Sequence, residues 1–274
     1  MGANSAIEWT THTFNPWTGC EKASPACAHC YAEAWAKRAG RDFTARIRTS
    51  RDTWRQPLKW HKAAAAAGTT AAVLCASLAD VFESHPGIVP GWRSDLWNLI
   101  RATPALTYVL LTKRPDNIET MFPFGSDEPR NVVFGITAEN QLWYRRRWRH
   151  LRRHRAAGWR TFLSAEPLLG PLTLDAGDHP DGVVSGGETG PKARVTDPDW
   201  VRGLRDQCAT MGIPFMHKHW GEWAPAANWP SEAREGYDAR GLAFGASIRV
   251  GRAHAGRSLD GREHMASPFA TAYV

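Results

Sequence analysis

The sequence predicts an α/β fold, a full or partial parallel (β/α) barrel of six or seven strands. Short apolar runs recur along the chain, and they are continuously apolar rather than alternating, as strands buried on both faces should be. Helix-like segments separate most of these runs, and alternating strands and helices form parallel βαβ units. A doubly wound open sheet is the alternative, although no Gly-x-Gly-x-x-Gly turn follows the first strand.

The predicted elements follow the chain in order. Strands are expected near residues 8–15 and over 71–77, 107–113, 131–137, 161–167, 182–188 and 214–220. Helices are expected over 28–39, 89–102, 139–157 and 198–211. The last of these helices follows "TDPDW", which supplies Thr or Asp as the N-cap and places Pro198 in the first turn.

The predicted domain organisation is a single barrel domain followed by an extension. Residues 1–224 form the barrel, with a basic, Trp-containing insertion near 41–70 whose "KAAAAAG" run is an exposed helix end. Residues 225–274 form a Gly/Ala/Arg-rich extension that can pack on the barrel. The hydrophobic fraction of 43% excludes a wholly disordered chain.

The chain is predicted to be cytoplasmic, with no membrane partner. No apolar run approaches the length that spans a bilayer. The first residues, "MGANSAIEW", have neither the basic segment nor the apolar segment of a secretory signal.

Three of the five cysteines, Cys20, Cys27 and Cys30, lie close together in "NPWTGCEKASPACAHCYAEAW". An odd number of cysteines without an export signal argues against a disulfide framework and favours metal or redox chemistry. A structural zinc ordinarily takes four protein ligands, so His12 or His61 would have to complete such a site. Three cysteines alone suit a cubane iron–sulfur cluster with one iron open to a cofactor or substrate. Cys75 and Cys208 are expected to be buried and inert.

Polar residues directly follow the predicted strands. In a parallel barrel the carboxyl ends of the strands meet at one mouth, where active sites are built. Helix caps and ordinary loop residues are the alternative for any single position. The mouth residues, in chain order, are Ser77, Asp80, Thr112, Lys113, Arg114, Thr137, Glu139, Asn140, Ser164, Glu166, Ser185, Glu188, His217, Lys218 and His219.

The predicted catalytic residues are Glu166, Glu188 and Lys218. Both glutamates directly abut buried runs, and a carboxylate can transfer protons when burial shifts its pKa suitably. Lys218, like Lys113 and Arg114, can bind a phosphate or carboxylate group.

The run "RRRWRHLRRHR", residues 145–155, contains seven arginines, two histidines and no acid. In the predicted helix, Trp143, Trp148 and Leu151 would form the buried stripe and the arginines would cover the remaining faces. A solvated helix face is the alternative, but such faces ordinarily mix both signs of charge. Arginine binds phosphates and stacks on bases.

The insertion adds further basic residues with aromatic residues among them. Such interleaving suits single-stranded or flipped-base nucleic acid, and also suits a protein core with a basic rim. Together with the net charge of +7, this interleaving of basic and aromatic residues favours a nucleic acid or nucleotide as substrate. The residues concerned are Arg41, Arg46, Arg48, Arg51, Trp54, Arg55, Lys59, Trp60 and Lys62.

Several segments together resemble a phage-associated three-cysteine family of unknown function, itself similar to the radical S-adenosylmethionine superfamily. They are "NPWTGCEKASPACAHCYAE", "LLTKRP", "VFGIT", "SAEPLLGPL", "SGGETGPKAR", "PFMHKHWGEW" and "AGRSLDGREH". The resemblance extends from about Trp9 to His264. It implies a barrel of the radical S-adenosylmethionine type.

The resemblance implies two cofactors, a [4Fe-4S] cluster and S-adenosylmethionine. Cys20, Cys27 and Cys30 would ligate three irons, and the fourth iron would bind the amino and carboxylate groups of S-adenosylmethionine. One electron then yields methionine and a 5′-deoxyadenosyl radical, which abstracts hydrogen from the substrate. An electron-donating reductase or a flavodoxin-like protein is the implied partner. His29 would pack near the adenine; a solvent-exposed loop histidine is the alternative.

Two features depart from the superfamily pattern. The cysteine spacing is C-x6-C-x2-C, whereas C-x3-C-x2-C is usual. The Gly186-Gly187-Glu188 segment follows a late strand, although its superfamily counterpart follows the second strand and contacts the cofactor. Ser77 and Asp80 stand after the second strand here, and Asp80 can accept a hydrogen bond from an ammonium or ribose hydroxyl group. The remaining predicted cofactor-binding residues are Thr112, Lys113, Thr137 and Glu139.

The predicted function is therefore a radical S-adenosylmethionine enzyme of open reaction type. The alternative is a non-catalytic, zinc-stabilised nucleic-acid-binding protein. A third hypothesis, an electron-transfer protein, agrees less well with three cysteines because electron carriers commonly fill all four ligand positions of the cluster.

Overall fold

The apolar runs of the sequence form the strands of a parallel sheet. The computed structural model describes residues 9–125, 130–229, 235 and 243–269. Its strands are β1 (His12–Thr13), β2 (Trp17–Thr18), β3 (Ile47–Arg48), β4 (Ala71–Leu74), β5 (Leu106–Thr112), β6 (Val132–Thr137), β7 (Arg160–Ala165), β8 (Val183–Gly186), β9 (Phe215–His219), β10 (Trp223–Pro225), β11 (Ala243–Phe244) and β12 (Ser247–Arg249).

Helices connect most of the strands of the parallel sheet. They are α1 (Tyr31–Arg38), α2 (Arg51–Ala66), α3 (Pro90–Ala102), α4 (Ile118–Met121), α5 (Gln141–Ala156), α6 (Pro198–Met211) and α7 (Arg252–Ala255). The four predicted helices correspond to α1, α3, α5 and α6, with ends shifted by at most a few residues. The predicted N-cap of α6 is Asp197, whose side chain accepts a hydrogen bond from the backbone amide of Asp199 at 2.9 Å.

The seven-stranded sheet has the order β1-β4-β5-β6-β7-β8-β9. Its neighbouring strands run parallel, as in the registers His12 with Val73 and Val183 with Phe215. All six residues of β6 are buried, as a strand covered on both faces requires. The predicted fold class, a parallel α/β sheet of six or seven strands, is confirmed.

The chain divides into two compact units. The first comprises residues 1–23, 32–136 and 153–161, and the second comprises residues 24–31, 137–152 and 162–274. The predicted domain boundary at residue 224 stays a prediction. Of the predicted extension, residues 230–234, 236–242 and 270–274 lie outside the described part of the chain.

In the first unit, most of the predicted basic insertion is helix α2. Its N-cap is Ser50, whose Oγ accepts a hydrogen bond from the backbone amide of Thr53. Trp60 is buried and stacks on His12 with 4.3 Å between ring centroids. The "KAAAAAG" run ends this helix, as predicted. Arg46, one of the basic residues of the insertion, is 8% exposed and ion-paired with Glu83.

In the second unit, the buried face of α5 differs from the prediction. Tyr144, Arg147, Trp148 and Leu151 are buried, whereas Trp143 is only half-buried. Arg147 was expected among the exposed arginines. It turns inward because Glu139, which is fully buried, supplies the opposite charge at 3.1 Å.

Residues after β9 pack onto α6 and the sheet within the second unit. Asp260 accepts hydrogen bonds from the guanidinium groups of Arg202 and Arg205 on α6. The backbone amide of His217 donates to the carbonyl of His264 at 2.8 Å. Described residues 243–269 therefore pack on this unit and are held there by charge and backbone pairing.

Within the described ranges, no helix is both long enough and apolar enough to cross a membrane.

Candidate active site

In the first unit, Asp80 is the centre of a buried hydrogen-bond network at the carboxyl end of β5. Its carboxylate accepts from Thr112 Oγ1 at 2.8 and 2.9 Å, from the Lys113 amide at 3.0 Å and from Arg114 Nη1 at 3.2 Å. Asp80 is 5% exposed. The network brings together four predicted site residues, and the Asp80 carboxylate is largely occupied by protein donors.

Glu83 forms a second buried carboxylate beside the first cysteine. It is 1% exposed and accepts from Arg46 Nε at 2.7 Å and from Arg114 Nη2 at 3.1 Å. Its Oε1 also accepts the backbone amide of Glu21 at 2.8 Å. Glu83 thus ties the residue after Cys20 to two arginines.

Cys20 itself contacts Arg114, whose Nη1 lies 3.7 Å from Sγ. Burial, followed by the nearby charges of Asp80 and Glu83, raises the pKa of the Cys20 thiol to about 12, and Arg114 opposes this shift. The preceding Gly19 has φ +102°, and a Cβ there would lie 2.0 Å from the carbonyl oxygen of Ala45. Only glycine permits this close approach of the cysteine loop to residues 43–45.

In the second unit, a buried ion pair holds the segment that carries Cys27. Residues Pro25–Cys27 form a single 3-10 turn. The Ala26 amide within it donates to Glu139 Oε1 at 2.9 Å, and Glu139 Oε2 accepts from Arg147 Nη1 at 3.1 Å. Glu139 therefore fixes the backbone next to Cys27 with one oxygen and a buried arginine with the other.

Glu188 holds the same segment from a second direction. Its Oε2 accepts from His29 Nδ1 at 3.0 Å and from Arg194 Nε at 2.9 Å, and Arg194 Nη2 also donates to the carbonyl of Pro25 at 2.9 Å. Burial raises the pKa of Glu188, but the hydrogen bonds from Arg194 and His29 outweigh it and leave the pKa below its ordinary value. His29 is thus a partly buried, bonded residue.

Two glycines allow Glu188 to reach this position. A Cβ on Gly187 would lie 1.8 Å from the carbonyl oxygen of Trp220, and one on Gly221 would lie 2.1 Å from that of Glu188. The two backbones cross in contact, and the Glu222 amide donates to the Glu188 carbonyl at 3.0 Å. The Gly-Gly-Glu segment therefore has a packing role that the sequence alone did not reveal.

Glu166 and Lys218 form an ion pair at the carboxyl ends of β7 and β9. Glu166 Oε2 lies 2.9 Å from Lys218 Nζ, and Ser164 Oγ donates to Glu166 Oε1 at 3.2 Å. Burial raises the pKa of Glu166, but Lys218 and His219 lower it by more than burial raises it. The pKa therefore lies below its ordinary value and the carboxylate is ionised. Burial lowers the pKa of the His219 imidazole to about 4. Both members of this pair retain some solvent exposure.

Ser185 on β8 and His217 in the middle of β9 form a fully buried pair. Ser185 Oγ lies 2.9 Å from His217 Nδ1, and both residues are 0% exposed. Burial lowers the pKa of His217 to about 3, so its imidazole is neutral. The pair is sealed from solvent and contributes to the packing of β8 against β9.

Two other predicted residues have structural partners. The amide nitrogen of Asn15 donates to Ser77 Oγ at 3.1 Å, and Asn15 Oδ1 accepts the Leu78 amide at 2.8 Å. The carbonyl of Thr137 accepts a hydrogen bond from Arg147 Nη1 at 2.8 Å.

The sequence interpretation missed Glu83, Arg46, Arg147 and Arg194 as site residues. Arg147 carries a detectable signal, because it lies three residues after Tyr144 and four before Leu151, on the same helix face. Arg194 stands within the "SGGETGPKAR" segment. The partners of Glu83 lie 37 and 31 residues away along the chain, and no local pattern predicts such pairings.

The chemistry of the cysteine loop suits an iron–sulfur cluster. All five cysteines lie in the described part of the chain and none forms a disulfide bond, and Cys20, Cys27 and Cys30 supply three sulfur donors within residues 20–30. Arg114 directs a positive charge at one of them. Among the described residues, no group of three or more His, Cys, Asp or Glu side chains is already arranged to hold a metal ion. The ligand role of the cysteines stays a prediction.

Fold and site together define a parallel α/β protein whose cysteine loop is held by buried carboxylate–arginine pairs. The family described as "Protein of unknown function (DUF5131)" matches residues 4–268. The chain therefore belongs to the DUF5131 family, which confirms the predicted resemblance to a family of unknown function.

Comparison with characterised proteins adds one distant likeness. No curated protein matches the sequence. Among solved structures, a double mutant of spore photoproduct lyase with bound AdoMet and dinucleoside spore photoproduct is similar, with 13% identity and a TM-score of 0.47. The similarity covers 89% of this chain and 69% of that chain. At this TM-score the likeness carries no inference about activity.

Proposed function

We propose that this protein is a radical S-adenosylmethionine enzyme that acts on a nucleic acid or nucleotide. The observation that carries the proposal is the cysteine loop. It offers three thiols, and residues adjoining them are bonded to buried carboxylates. Glu83 and Glu139 accept backbone amides of this segment, and Glu188 accepts from the His29 side chain. Fixed ligand backbones surrounded by buried charge are what a catalytic metal site requires.

Cys20, Cys27 and Cys30 are the residues that would hold the [4Fe-4S] cluster. When bound, the cluster supplies the electron that cleaves S-adenosylmethionine to methionine and a 5′-deoxyadenosyl radical. Arg114 would offset the negative charge of the Cys20 sulfur, which it contacts at 3.7 Å. A reductase or flavodoxin-like protein would deliver the electron.

The buried carboxylates act by positioning. Glu139 uses one oxygen for the Ala26 amide and the other for Arg147. Glu188 is shared between His29 and Arg194. Asp80 likewise orients Thr112 and Arg114. We propose that His29 and Lys113 contact S-adenosylmethionine and that Ser77, Asp80, Thr112, Thr137, Glu139 and Glu188 shape the surrounding backbone.

Glu166 and Lys218 are the proposed substrate-contacting residues. The Lys218 ammonium is held in place by Glu166 and retains 20% exposure, so it can bind an anionic group such as a phosphate. Glu166 is ionised and half-buried, which suits a carboxylate that accepts a hydrogen bond from a substrate hydroxyl or takes up a proton.

The direct test is anaerobic reconstitution with iron and sulfide, followed by assay of 5′-deoxyadenosine formation from S-adenosylmethionine with a chemical reductant. We expect about four irons per chain and 5′-deoxyadenosine in the wild type. Both should be lost in Cys27→Ser and kept in the matched control Cys208→Ala. Stoichiometric zinc without iron would instead support the non-catalytic, zinc-stabilised nucleic-acid-binding protein.

A further inference from the structure

A cleft in the first unit lies beside the segment that carries Cys20. It has a volume of about 470 Å³ and opens next to the antiparallel pair β2 and β3. Its lining includes Thr18, Arg41, Asp42, Ile47, Arg48, Ser50 and Thr53. Thr18 stands two residues before Cys20, and the Cys20 amide donates to the carbonyl of Phe43 at 3.2 Å. The cleft and the first predicted ligand therefore belong to one hydrogen-bonded segment.

The chain around the cleft is strongly basic. Residues 37–55 contain the basic side chains Lys37, Arg38, Arg41, Arg46, Arg48, Arg51 and Arg55, against only Asp42 and Asp52. Of these cations only Arg46 is buried. Within the part of the chain that the structure describes, Arg41 makes no ion pair, and its guanidinium lies 5.3 Å from the centroid of the Trp35 ring. The lining holds Arg41 and Arg48 against Asp42, so positive charge is in excess there.

The cleft also has the groups that recognise a nucleotide beyond its charge. Arg48 is fixed by stacking over Trp54, 4.3 Å from the ring centroid, and by Asp95 at 2.7 Å. Ile47 is 44% exposed and offers an apolar surface against which a base can pack. The hydroxyl groups of Ser50 and Thr53 are at the start of α2 and can donate to phosphate oxygens.

We propose that this cleft binds the phosphate backbone of a single-stranded nucleic acid and places the adjoining nucleotide beside the Cys20 segment. The inference rests on the proposed function and names its substrate class. Arg41 supplies the unpaired charge, the hydroxyl groups orient the phosphate, and Ile47 contacts a base. A single strand fits because its bases are free to pack on protein side chains, whereas those of a duplex are stacked in pairs.

The test is fluorescence anisotropy with a labelled single-stranded oligonucleotide of about 12 nucleotides, measured without reductant or S-adenosylmethionine. The key variant is Arg41→Glu. Arg262→Glu is the matched control, because Arg262 is an exposed arginine outside both basic segments and receives the same change of charge. We expect Arg41→Glu to raise Kd about 10-fold and to reduce the slope of log Kd against log salt concentration by about one. Arg262→Glu should change Kd much less.

Three results would overturn the inference. They are an unchanged Kd in Arg41→Glu, an equal loss of affinity in Arg262→Glu, and full competition by a mononucleotide or inorganic phosphate at a concentration equal to that of the oligonucleotide. Because binding is measured without cofactor chemistry, these outcomes do not depend on 5′-deoxyadenosine formation. A protein that binds the strand through Arg41 but forms no 5′-deoxyadenosine would reject the proposed function and keep the cleft.

Discussion

The backbone amide of Ala26 donates a 2.9 Å hydrogen bond to the carboxylate of Glu139, which lies 113 residues later in the chain. Glu139 is fully buried and its second oxygen is paired with Arg147. A buried carboxylate needs such partners, because an unpaired charge is costly to desolvate. The residue preceding Cys27 is therefore positioned by an ion pair at the start of α5.

Replacing Glu139 with Gln should leave the Arg147 charge buried without its counter-charge. We expect the free energy of unfolding to fall by about 3–5 kcal/mol, measured by urea denaturation. Combining Glu139→Gln with Arg147→Met removes both charges and should restore part of the loss. Glu119→Gln, which breaks the exposed pair with Arg153, is the control and should have little effect. Equal losses in the two Gln variants would contradict the account.

The Glu188–Arg194 pair should affect iron binding more than folding. Arg194→Gln removes the donor to Pro25 and weakens the hold on His29 through Glu188. We expect reconstituted protein to lose iron to a chelator at about 10-fold lower concentration, as for other residues that orient metal ligands. Arg202→Gln, on the surface of α6, should match the wild type. If Arg194→Gln also matches it, the pair does not position the loop.

Substitution by Ala should have opposite effects on stability at Gly187 and at Gly203. Ala at Gly187 would place a Cβ 1.8 Å from the carbonyl oxygen of Trp220, and we expect a loss of about 1–3 kcal/mol or more in unfolding free energy. Gly203 lies inside α6, and no atom outside its own helix backbone lies within 4 Å of the point that a Cβ would occupy. Ala there should stabilise the protein by about 0.5–1 kcal/mol. Thermal or urea unfolding of both variants checks the sign of each effect.

The buried His217 should make the protein less stable as the pH falls. Its folded pKa is lowered to about 3 from 6.5 by burial, followed by the charges of His219 and His264 and that of Arg257. Below pH 6.5 the unfolded chain therefore binds a proton that the folded chain does not. Above pH 6.5 the neutral His217 causes no loss of stability, and the free energy of unfolding falls as the pH drops from 6.5 towards 3.

Unfolding free energies between pH 7 and pH 5 measure this effect. His217→Asn should show a shallower fall, with a difference in slope of up to about 1.4 kcal/mol per pH unit. His219, whose pKa is lowered to about 4, keeps part of the slope in the variant. Identical slopes in wild type and His217→Asn would show that His217 is protonated equally in both states.

The sequence predicted the strands and helices well, because continuous apolar runs and caps are local signals. Val132–Thr137 and Pro198–Met211 illustrate this: the first is buried throughout, and the second has the Asp197 cap and a left-handed Gly212 at its end. The prediction of which α5 residues are buried was partly wrong. Tyr144 and Arg147 are buried where Trp143 was expected, because the buried Glu139 carboxylate favours an inward arginine over an indole.

The site was predicted less completely, because its organisation depends on distant partners. Strand-end residues such as Glu139, Glu166 and Glu188 were identifiable as polar groups after apolar runs. Their bonds to Ala26, Lys218 and Arg194 require knowledge of which strands are neighbours and where loops cross. The backbones at Gly187 and Gly221 lie so close that neither position has room for a Cβ atom. This is likewise a contact between distant segments, and the sequence alone does not predict it.

The most direct test of the central claim is low-temperature electron paramagnetic resonance of the anaerobically reconstituted, reduced protein, with and without S-adenosylmethionine. We expect a [4Fe-4S] signal that changes when S-adenosylmethionine is added, because three cysteine ligands leave one iron open. Cys20→Ser, Cys27→Ser and Cys30→Ser should each lose it. Full cluster signals in any of these variants, or a wild-type signal that S-adenosylmethionine leaves unchanged, would contradict the account.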